Sequence, residues 1–78
     1  MKIKIGKYYK HKSKHRFIKV KMVHESFSEG VGFITNELSQ ITIGDMEISN
    51  HGDFQEIPEE DFNKELALIV NKLDIRFR

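Results

Sequence analysis

The stretch of sequence that decides the fold is Phe17-Ile18-Lys19-Val20-Lys21-Met22-Val23. Ile18, Val20 and Met22 alternate with lysines, so apolar and charged side chains leave an extended chain on opposite sides. This period of two residues predicts a half-buried β-strand whose apolar face contributes to the core.

The segment that follows predicts a hairpin partner for this strand. Residues 31–36 contain β-branched and aromatic side chains, and Ser28-Glu29-Gly30 before them has the composition of a turn. We therefore predict a hairpin in which residues 16–27 pair with residues 31–36. Gly32, inside the second strand, indicates a bulge or a close approach of two backbones.

The N-terminal segment shows the same alternation in a shorter form. Ile3 and Ile5 are separated by a lysine, which predicts a half-buried strand that Gly6 interrupts. Residues 7–10 contain two tyrosines and predict a second extended segment. The polar residues 11–15 predict the connection to the next strand.

Two alternating segments later in the chain are out of phase by one residue. Ile41 and Ile43 form the first pair, and Met46 and Ile48 form the second. If one face of the sheet is buried, a slip of one residue exposes half of the apolar set. The intervening Gly44-Asp45 therefore predicts either a tight turn or a bulge that resets the phase, and the turn is favoured.

The last part of the chain changes from strand to helix periodicity. A turn cluster at 50–53 precedes a short strand at 54–57. Pro58 then suits the first position of a helix, where its missing N–H needs no partner, and three acids follow it in the first turn. Because apolar side chains recur at helical spacing, we predict a helix over 58–73. The tail over 74–78 is either an added strand or a loose end.

These elements predict a single domain over residues 1–78 that is β-rich over 2–57. The fold class is mainly β (α+β), a small antiparallel SH3-like half-open barrel of five or six short strands with one C-terminal helix. A chain of this length buries one small core, and without cysteine no disulfide reinforces it. The predicted core comprises Ile5, Ile18, Val20, Met22, Phe33, Ile41, Ile43, Phe54, Ile57, Phe62, Leu66 and Ile69.

Charge is divided by position along the chain. Residues 1–27 contain nine lysine and arginine residues and one acid, a net charge of +8. Residues 28–78 contain four lysine and arginine residues and eleven acids, a net charge of −7. Such charge distributions govern partners and encounter rates rather than the fold. We therefore expect two oppositely charged poles on the folded molecule.

The basic third of the chain is the first candidate surface. Cationic grooves that contain aromatic side chains are how small β-barrels hold single-stranded nucleic acid. Because arginine is scarce, the contacts expected are mainly with phosphates and independent of base sequence. The alternative is that these lysines only keep exposed strands soluble. The candidate residues are Lys7, Tyr8, Tyr9, Lys10, Lys12, Lys14, Arg16, Lys19 and Lys21.

The acidic part of the chain offers a second candidate surface near the start of the predicted helix. Carboxylates there can engage a basic groove on another protein, and complementary charge gives fast encounter. The alternative is a solvated helix start, where acids are favourable in any case. The candidate residues are Glu56, Glu59, Glu60, Asp61 and Glu65.

Motifs for catalysis or metal binding are not evident. His11 and His15 are four residues apart, but the two lysines between them repel a cation. Ser13 lies between those histidines without a nucleophile elbow around it. Gly30-Val31-Gly32 lacks the third glycine and the βαβ unit of a phosphate-binding loop. We therefore predict a non-enzymatic protein with no catalytic residues, no metal and no cofactor.

The opening of the chain resembles that of a known class of small proteins. Gly6-Lys7-Tyr8-Tyr9-Lys10-His11-Lys12, followed by the strand at 17–23, is similar to the start of small SH3-like proteins of bacteria and prophages. One such family, of unknown function, begins with Gly-Lys-Tyr, a basic aromatic stretch and a strand. The likeness covers about residues 5–24 and implies an SH3-like fold with no catalytic residues. Short lysine-rich chains without cysteine also look like phage accessory proteins, several of which bind a host or defence protein.

Together these patterns predict a small cytoplasmic binding module. No N-terminal apolar segment resembles an export signal, and the apolar run 66–70 is far shorter than the ~20 residues that span a bilayer. The first hypothesis is a phage or mobile-element accessory protein that binds or inhibits a host or defence protein through its charged faces. The alternative is a sequence-independent nucleic-acid-binding protein that uses the basic N-terminal hairpin. Both a monomer and a homodimer are compatible with the sequence.

Overall fold

A computed structural model describes residues 2–35 and 40–76, which form five antiparallel strands in one open sheet and one helix. The predicted mainly β fold with a C-terminal helix is thereby confirmed. The strands are β1 (Tyr8–His11), β2 (Arg16–Val23), β3 (Phe27–Thr35), β4 (Ile41–Ser49) and β5 (Phe54–Ile57), and the helix α1 is Glu59–Arg76. The strand order is β4-β3-β2-β1-β5, so β4 and β5 form the two edges.

A short connection between the two edge strands makes the sheet curl. Strands β1 to β4 form a meander, and residues 50–53 then carry the chain from β4 to β5, which pairs with β1 at the opposite edge. So short a connection reaches both edges only if the sheet bends strongly. Ile48 of β4 and Phe54 of β5 accordingly pack in one apolar cluster. No ladder joins β4 to β5 within the described ranges, so the sheet stays open.

Both faces of the sheet are buried, each by a different part of the chain. The concave face holds a cluster of Ile3, Tyr9, Ile18, Val20, Ile48 and Phe54. The convex face packs against α1 in a second cluster of Tyr8, Phe17, Phe33, Phe62 and Ile69. In β2, the neighbours Phe17 and Ile18 are 3% and 0% exposed, because they leave the strand on opposite sides.

This two-sided core explains the phase change within β4. Ile41 packs against the convex cluster, whereas Met46 and Ile48 belong to the concave side. β4 is one continuous strand with an unbroken register against β3. The predicted turn or bulge at Gly44-Asp45 is therefore wrong. The change of phase needs no turn or bulge, because the apolar residues of the two halves of β4 lie on different faces of the sheet.

β2 contains a phase change that simple alternation did not predict. Its pairing with β3 skips Lys21, the extra residue of a β-bulge between Val20 and Met22. Beyond this bulge, Val23 packs against the concave cluster and Met22 is 51% exposed. The predicted place of Met22 in the core is wrong for this reason.

The hairpin of β2 and β3 is confirmed, but its turn lies earlier than predicted. The chain reverses before Phe27, whose carbonyl accepts a hydrogen bond from the His24 N–H over 2.8 Å. Ser28-Glu29-Gly30, predicted as the turn, lies inside β3. Ser28 is fully buried there. Its hydroxyl donates a hydrogen bond to Asn50 Oδ1, so this buried polar group has a partner. Residue 36 of the predicted strand lies outside the described residues.

The N-terminal segment enters the core without forming a strand. Ile3 is 6% exposed, but the chain then turns, with the Lys7 N–H donating to the Lys4 carbonyl over 3.4 Å. Gly6 in this turn has a φ of 82°, a region that favours glycine. Because the turn ends the alternation, Ile5 is 64% exposed and its predicted place in the core is wrong.

Gly32 lies where three strands approach closely. A Cβ added to it would overlap the carbonyl oxygen of Phe17 in β2 and lie 2.5 Å from the Sδ of Met46 in β4. The predicted close approach of backbones at Gly32 is confirmed. Since no side chain fits at this point, glycine is what permits the tight packing of β2, β3 and β4.

α1 starts one residue later and ends three residues later than predicted. The Pro58 carbonyl accepts from the Phe62 N–H over 3.2 Å, so proline caps the helix instead of occupying its first position. Residues 74–76 of the predicted tail belong to the helix, and residues 77–78 lie outside the described residues. The alternative of an added strand at 74–76 is therefore wrong.

The other residues of the predicted core differ in how deeply they are buried. Ile18, Val20, Phe33, Phe54, Phe62 and Ile69 are buried as predicted. Ile41, Ile57 and Leu66 are half-buried at the margin of the convex cluster. Ile43 is 48% exposed, which contradicts the prediction. The buried residues that were missed are Ile3, Tyr8, Tyr9, Phe17 and Ile48. Tyr8, Tyr9 and Phe17 lie in strands buried on both faces, where alternation disappears.

Asn50 joins the two turns at one end of the sheet. Its Nδ2 donates to the His24 carbonyl over 2.8 Å, and its Oδ1 accepts from the hydroxyl of Ser28. The Asn50 N–H also donates to the Ser26 carbonyl over 3.1 Å. The β2–β3 turn is thereby held against the start of the connection to β5.

We expect Asn50→Ala to lower the free energy of unfolding by about 1–3 kcal/mol, because it removes a partner from the Ser28 hydroxyl and the His24 carbonyl. Urea unfolding followed by circular dichroism measures this change. The double variant Ser28→Ala/Asn50→Ala should lose less than the sum of the two single losses, since no buried hydroxyl then lacks its partner. Additive losses would contradict this coupling.

Candidate interaction surfaces

Tyr8 and Tyr9, predicted as parts of the basic surface, are buried on opposite faces of β1. The Tyr8 ring lies 4.8 Å from that of Phe62, and its hydroxyl donates to Glu59 Oε1 over 3.1 Å. Tyr9 is 0% exposed, and its hydroxyl accepts from the Lys4 N–H over 2.9 Å. Neither ring can stack on a base or contact a partner, so both tyrosines are reassigned from the surface to the core.

Lys10 and Lys19 border the aromatic cluster beneath α1. The Lys10 Nζ lies 5.8 Å from the centroid of the Phe17 ring, and the Lys19 Nζ lies 5.6 Å from that of Tyr8. Each lysine is the cross-strand partner of the ring that it approaches. Both lysines are half-buried, so their stems cover apolar surface while their charges interact with the rings.

The β1–β2 loop carries the exposed cations of the basic surface. Lys12 and Lys14 are exposed, and Arg16 is half-buried at the start of β2. The His11 Nδ1 accepts from the N–H groups of Ser13 and Lys14, each over 3.1 Å. These bonds define the shape of the loop and occupy the lone pair with which His11 would act as a base. Lys7 and Lys21 are exposed elsewhere, just before β1 and at the bulge in β2.

The predicted acidic residues lie around the start of α1. Glu56 is exposed on β5, Glu59, Glu60 and Asp61 are exposed in the first turn of α1, and Glu65 is half-buried. Glu59 accepts the hydrogen bond from the Tyr8 hydroxyl. This acidic helix start is therefore attached to the basic strand β1.

The two predicted charged surfaces share one border. A groove of about 340 Å³ between α1 and the sheet is lined by Lys10 and Lys64 together with Asp61 and Glu65. Chain order is the cause, because β5 pairs with β1 and leads directly into α1, which brings the acids of α1 near Lys10. At this border the expected separation of charge is lost.

A second groove, here called the outer-sheet groove, lies on the part of the convex face that α1 leaves uncovered. Its volume is about 700 Å³, and no residue of α1 lines it. The side chains that line it are Lys21, Met22, Glu29, Val31, Asp45, Met46 and Glu47. Three carboxylates and one ammonium group thus surround exposed apolar surface.

The register of β3 and β4 concentrates the negative charge of this groove. Glu29 pairs directly with Glu47, and Val31 pairs with Asp45. Like charges in directly opposite positions destabilise a sheet. The His24 Nε2 lies 2.8 Å from Glu29 Oε2 and forms an ion pair with it when the imidazole is protonated. The three carboxylates of the groove outnumber its one lysine, so the groove is acidic.

Exposed apolar side chains accompany these carboxylates. Met22 is 51% exposed and Ile43 is 48% exposed, although the sequence pattern assigned both to the core. That assignment is why the outer-sheet groove was missed. The spacing of Ile43, Asp45 and Glu47 at alternate positions of one strand is the signal that could have found it.

Within the described part of the chain, neither a metal site nor a membrane-spanning helix points to a function, and no matching protein does so either. In residues 2–35 and 40–76, no three His, Asp or Glu side chains are grouped to hold a metal ion. No helix in the same residues is long and apolar enough to cross a bilayer. No protein-family model, curated protein or solved structure matches this chain.

Proposed function

We propose that this chain is a non-enzymatic binding module that engages another protein, and that the outer-sheet groove is its main contact surface. The observation that carries the proposal is the combination of Met22, Glu29, Asp45 and Glu47 in a groove that no other element of the described chain covers. Methionine is enriched in protein interfaces, and complementary charge gives them specificity and rapid encounter.

Charge favours a protein over a nucleic acid as the partner of this groove. Glu29, Asp45 and Glu47 would repel phosphates, whereas they would attract lysine and arginine side chains of a protein. The burial of Tyr8 and Tyr9 also removes the stacking platforms on which single-strand binding would depend.

We further propose that the curled sheet is an SH3-like half-open barrel. The support is the order β4-β3-β2-β1-β5 and the packing of both edge strands into one concave cluster. We also propose, from the resemblance of residues 5–24 and the lysine-rich, cysteine-free sequence, that the protein is an accessory protein of a phage or mobile element that binds or inhibits a host or defence protein.

Charge reversal in the groove tests the proposed function. We expect the immobilised wild-type protein to capture a specific protein from host lysate and Asp45→Lys/Glu47→Lys to lose it. The control Glu60→Lys/Asp61→Lys makes the same change of charge at the start of α1, where both side chains are exposed, and should retain the captured protein. Circular dichroism and thermal unfolding verify that each variant is folded. Equal capture by the groove variant would refute the proposal.

The exposed Lys12 and Lys14, together with the half-buried Arg16, support nucleic-acid binding as a second candidate function. Anisotropy titration of labelled single- and double-stranded oligonucleotides at low and raised salt tests it. If this candidate is correct, affinity falls steeply with salt, because bound phosphates release counterions. Lys12→Glu/Lys14→Glu/Arg16→Glu should then abolish binding, while Asp45→Lys/Glu47→Lys should not weaken it. No binding at low salt would eliminate this function.

A further inference from the structure

The outer-sheet groove lies beside an open strand edge. β4 is nine residues long and pairs with β3 on one side. No strand of residues 2–35 or 40–76 pairs with its other side. A row of unpaired backbone N–H and C=O groups is a template for an added strand from another chain. The opposite edge, β5, has only four residues and leads directly into Pro58 and α1.

The side chains of this edge specify what kind of strand fits. Ile43, Asp45 and Glu47 leave β4 at alternate positions toward the convex face. A strand added to β4 would place its own alternate side chains directly beside them. Opposite charges in such cross-strand positions are stabilising, as are apolar pairs. Basic side chains on that face therefore suit Asp45 and Glu47, while the intervening side chains of the added strand lie on the opposite face, beside Met46 and Ile48, where apolar residues fit.

The free protein leaves an unfavourable contact that such a strand would relieve. Glu29 and Glu47 are directly opposite each other in the β3–β4 ladder. Lysine or arginine side chains from an added strand would lie beside Glu47 and reduce its repulsion with Glu29, which His24 offsets only when its imidazole is protonated. The same carboxylates would repel an acidic strand, which gives the edge selectivity.

A second copy of this chain is a poorer occupant of the edge. Pairing of β4 with β4 would bring another Asp45 and another Glu47 against the same acidic surface. Repulsion of like charges across adjacent strands opposes that arrangement. Charge complementarity thus selects a basic partner over self-association.

We infer that the groove and the β4 edge together receive an extended, basic segment of another protein, which adds to the sheet as a strand alternating lysine or arginine with apolar residues. This inference rests on the proposed function and names the chemistry of its partner. Main-chain hydrogen bonds to β4 provide affinity, and Asp45 and Glu47 select the basic side chains.

A synthetic peptide tests the inference without knowledge of the natural partner. The probe is a fluorescein-labelled peptide of about ten residues alternating lysine and valine, long enough to span β4. We expect saturable binding to the wild-type protein and at least an approximately tenfold loss of affinity for Asp45→Lys/Glu47→Lys. Glu60→Lys/Asp61→Lys should bind within about twofold of wild type, and a peptide alternating glutamate and valine should not bind.

Amide hydrogen exchange distinguishes strand addition from simple charge attraction. On binding, the outward N–H groups of β4 should become protected, whereas amides of α1 should not change. Peptide binding without protection of β4, or sedimentation of the free protein as a dimer, would overturn the inference. If the peptide fails to bind but capture from lysate still depends on Asp45 and Glu47, the inference falls and the proposed function stands. Capture that is independent of both residues removes the proposed function itself.

Discussion

Gly32→Ala is expected to destabilise the protein by more than about 3 kcal/mol, because the new methyl group would overlap the backbone of a paired strand. The atoms in the way are the Phe17 carbonyl oxygen and the Ile18 Cα, the latter at 2.9 Å, and backbone cannot move aside as a flexible side chain can. A domain of this length is stable by only about 4–12 kcal/mol. Thermal and urea unfolding should therefore show a large loss of stability or no folded state.

Gly52→Ala is the matched control for this experiment. Its added Cβ would meet the Ser49 carbonyl oxygen at 3.3 Å and the Phe54 ring at 3.5 Å, which small shifts can accommodate. We expect a change within about 1 kcal/mol. Equal losses for Gly32→Ala and Gly52→Ala would mean that a general effect of replacing glycine, and not the close approach of strands, explains the result.

Phe62→Ala is expected to cost about 3–5 kcal/mol, because it removes the ring that anchors α1 to the convex face. Phe62 is 7% exposed, and its ring lies 4.8 Å from Tyr8 and 5.2 Å from Phe33. Because the ring joins α1 to both β1 and β3, the helical signal in circular dichroism should be lost at a lower temperature than in the wild type.

Leu68→Ala provides the control on the same helix. Leu68 is 51% exposed, and alanine has a high helix propensity, so the change should remain within about 0.5 kcal/mol. If Phe62→Ala were no more destabilising than Leu68→Ala, the aromatic cluster would not be what holds α1 in place.

The local elements were predictable wherever one physical signal dominated. The alternation around Ile18 and Val20 predicted β2, and its pairing with β3 followed from the composition of the next segment. Helical spacing of Phe62 and Ile69 predicted the buried side of α1. These signals come from neighbouring residues in the sequence, so they predict each element without knowledge of its tertiary contacts.

The wrong predictions concern strands of a sheet that is buried on both faces, because alternation of apolar and polar residues then no longer identifies the buried side chains. Met22 alternates correctly with Val20, but the bulge at Lys21 turns it outward. The two phases within β4 required a turn only under the assumption of a single buried face. In the folded protein both faces are buried, one by the helix and one by the curl of the sheet. The alternation of apolar and polar residues along one segment predicts neither of these features.

The sequence predicted which segments of the candidate surfaces are charged, but not how these segments lie relative to one another. The exposed lysines of the β1–β2 loop and the acids at the start of α1 lie where their sequence positions suggested. Antiparallel strand order then places β1 beside β5, which brings Lys10 near Asp61 and Glu65. The outer-sheet groove depends on the register of Glu29 with Glu47, and register is a property of paired strands, not of one segment.

The pairing of β1 with β5 has a consequence for the order of events during synthesis. Tyr8 finds its partner Ile57 only after almost fifty further residues have been made, and the convex rings wait still longer for α1. Until then, Phe17 and Phe33 have no helix to cover them. The aromatic side chains of the convex face are therefore protected from aggregation only once α1 has been made.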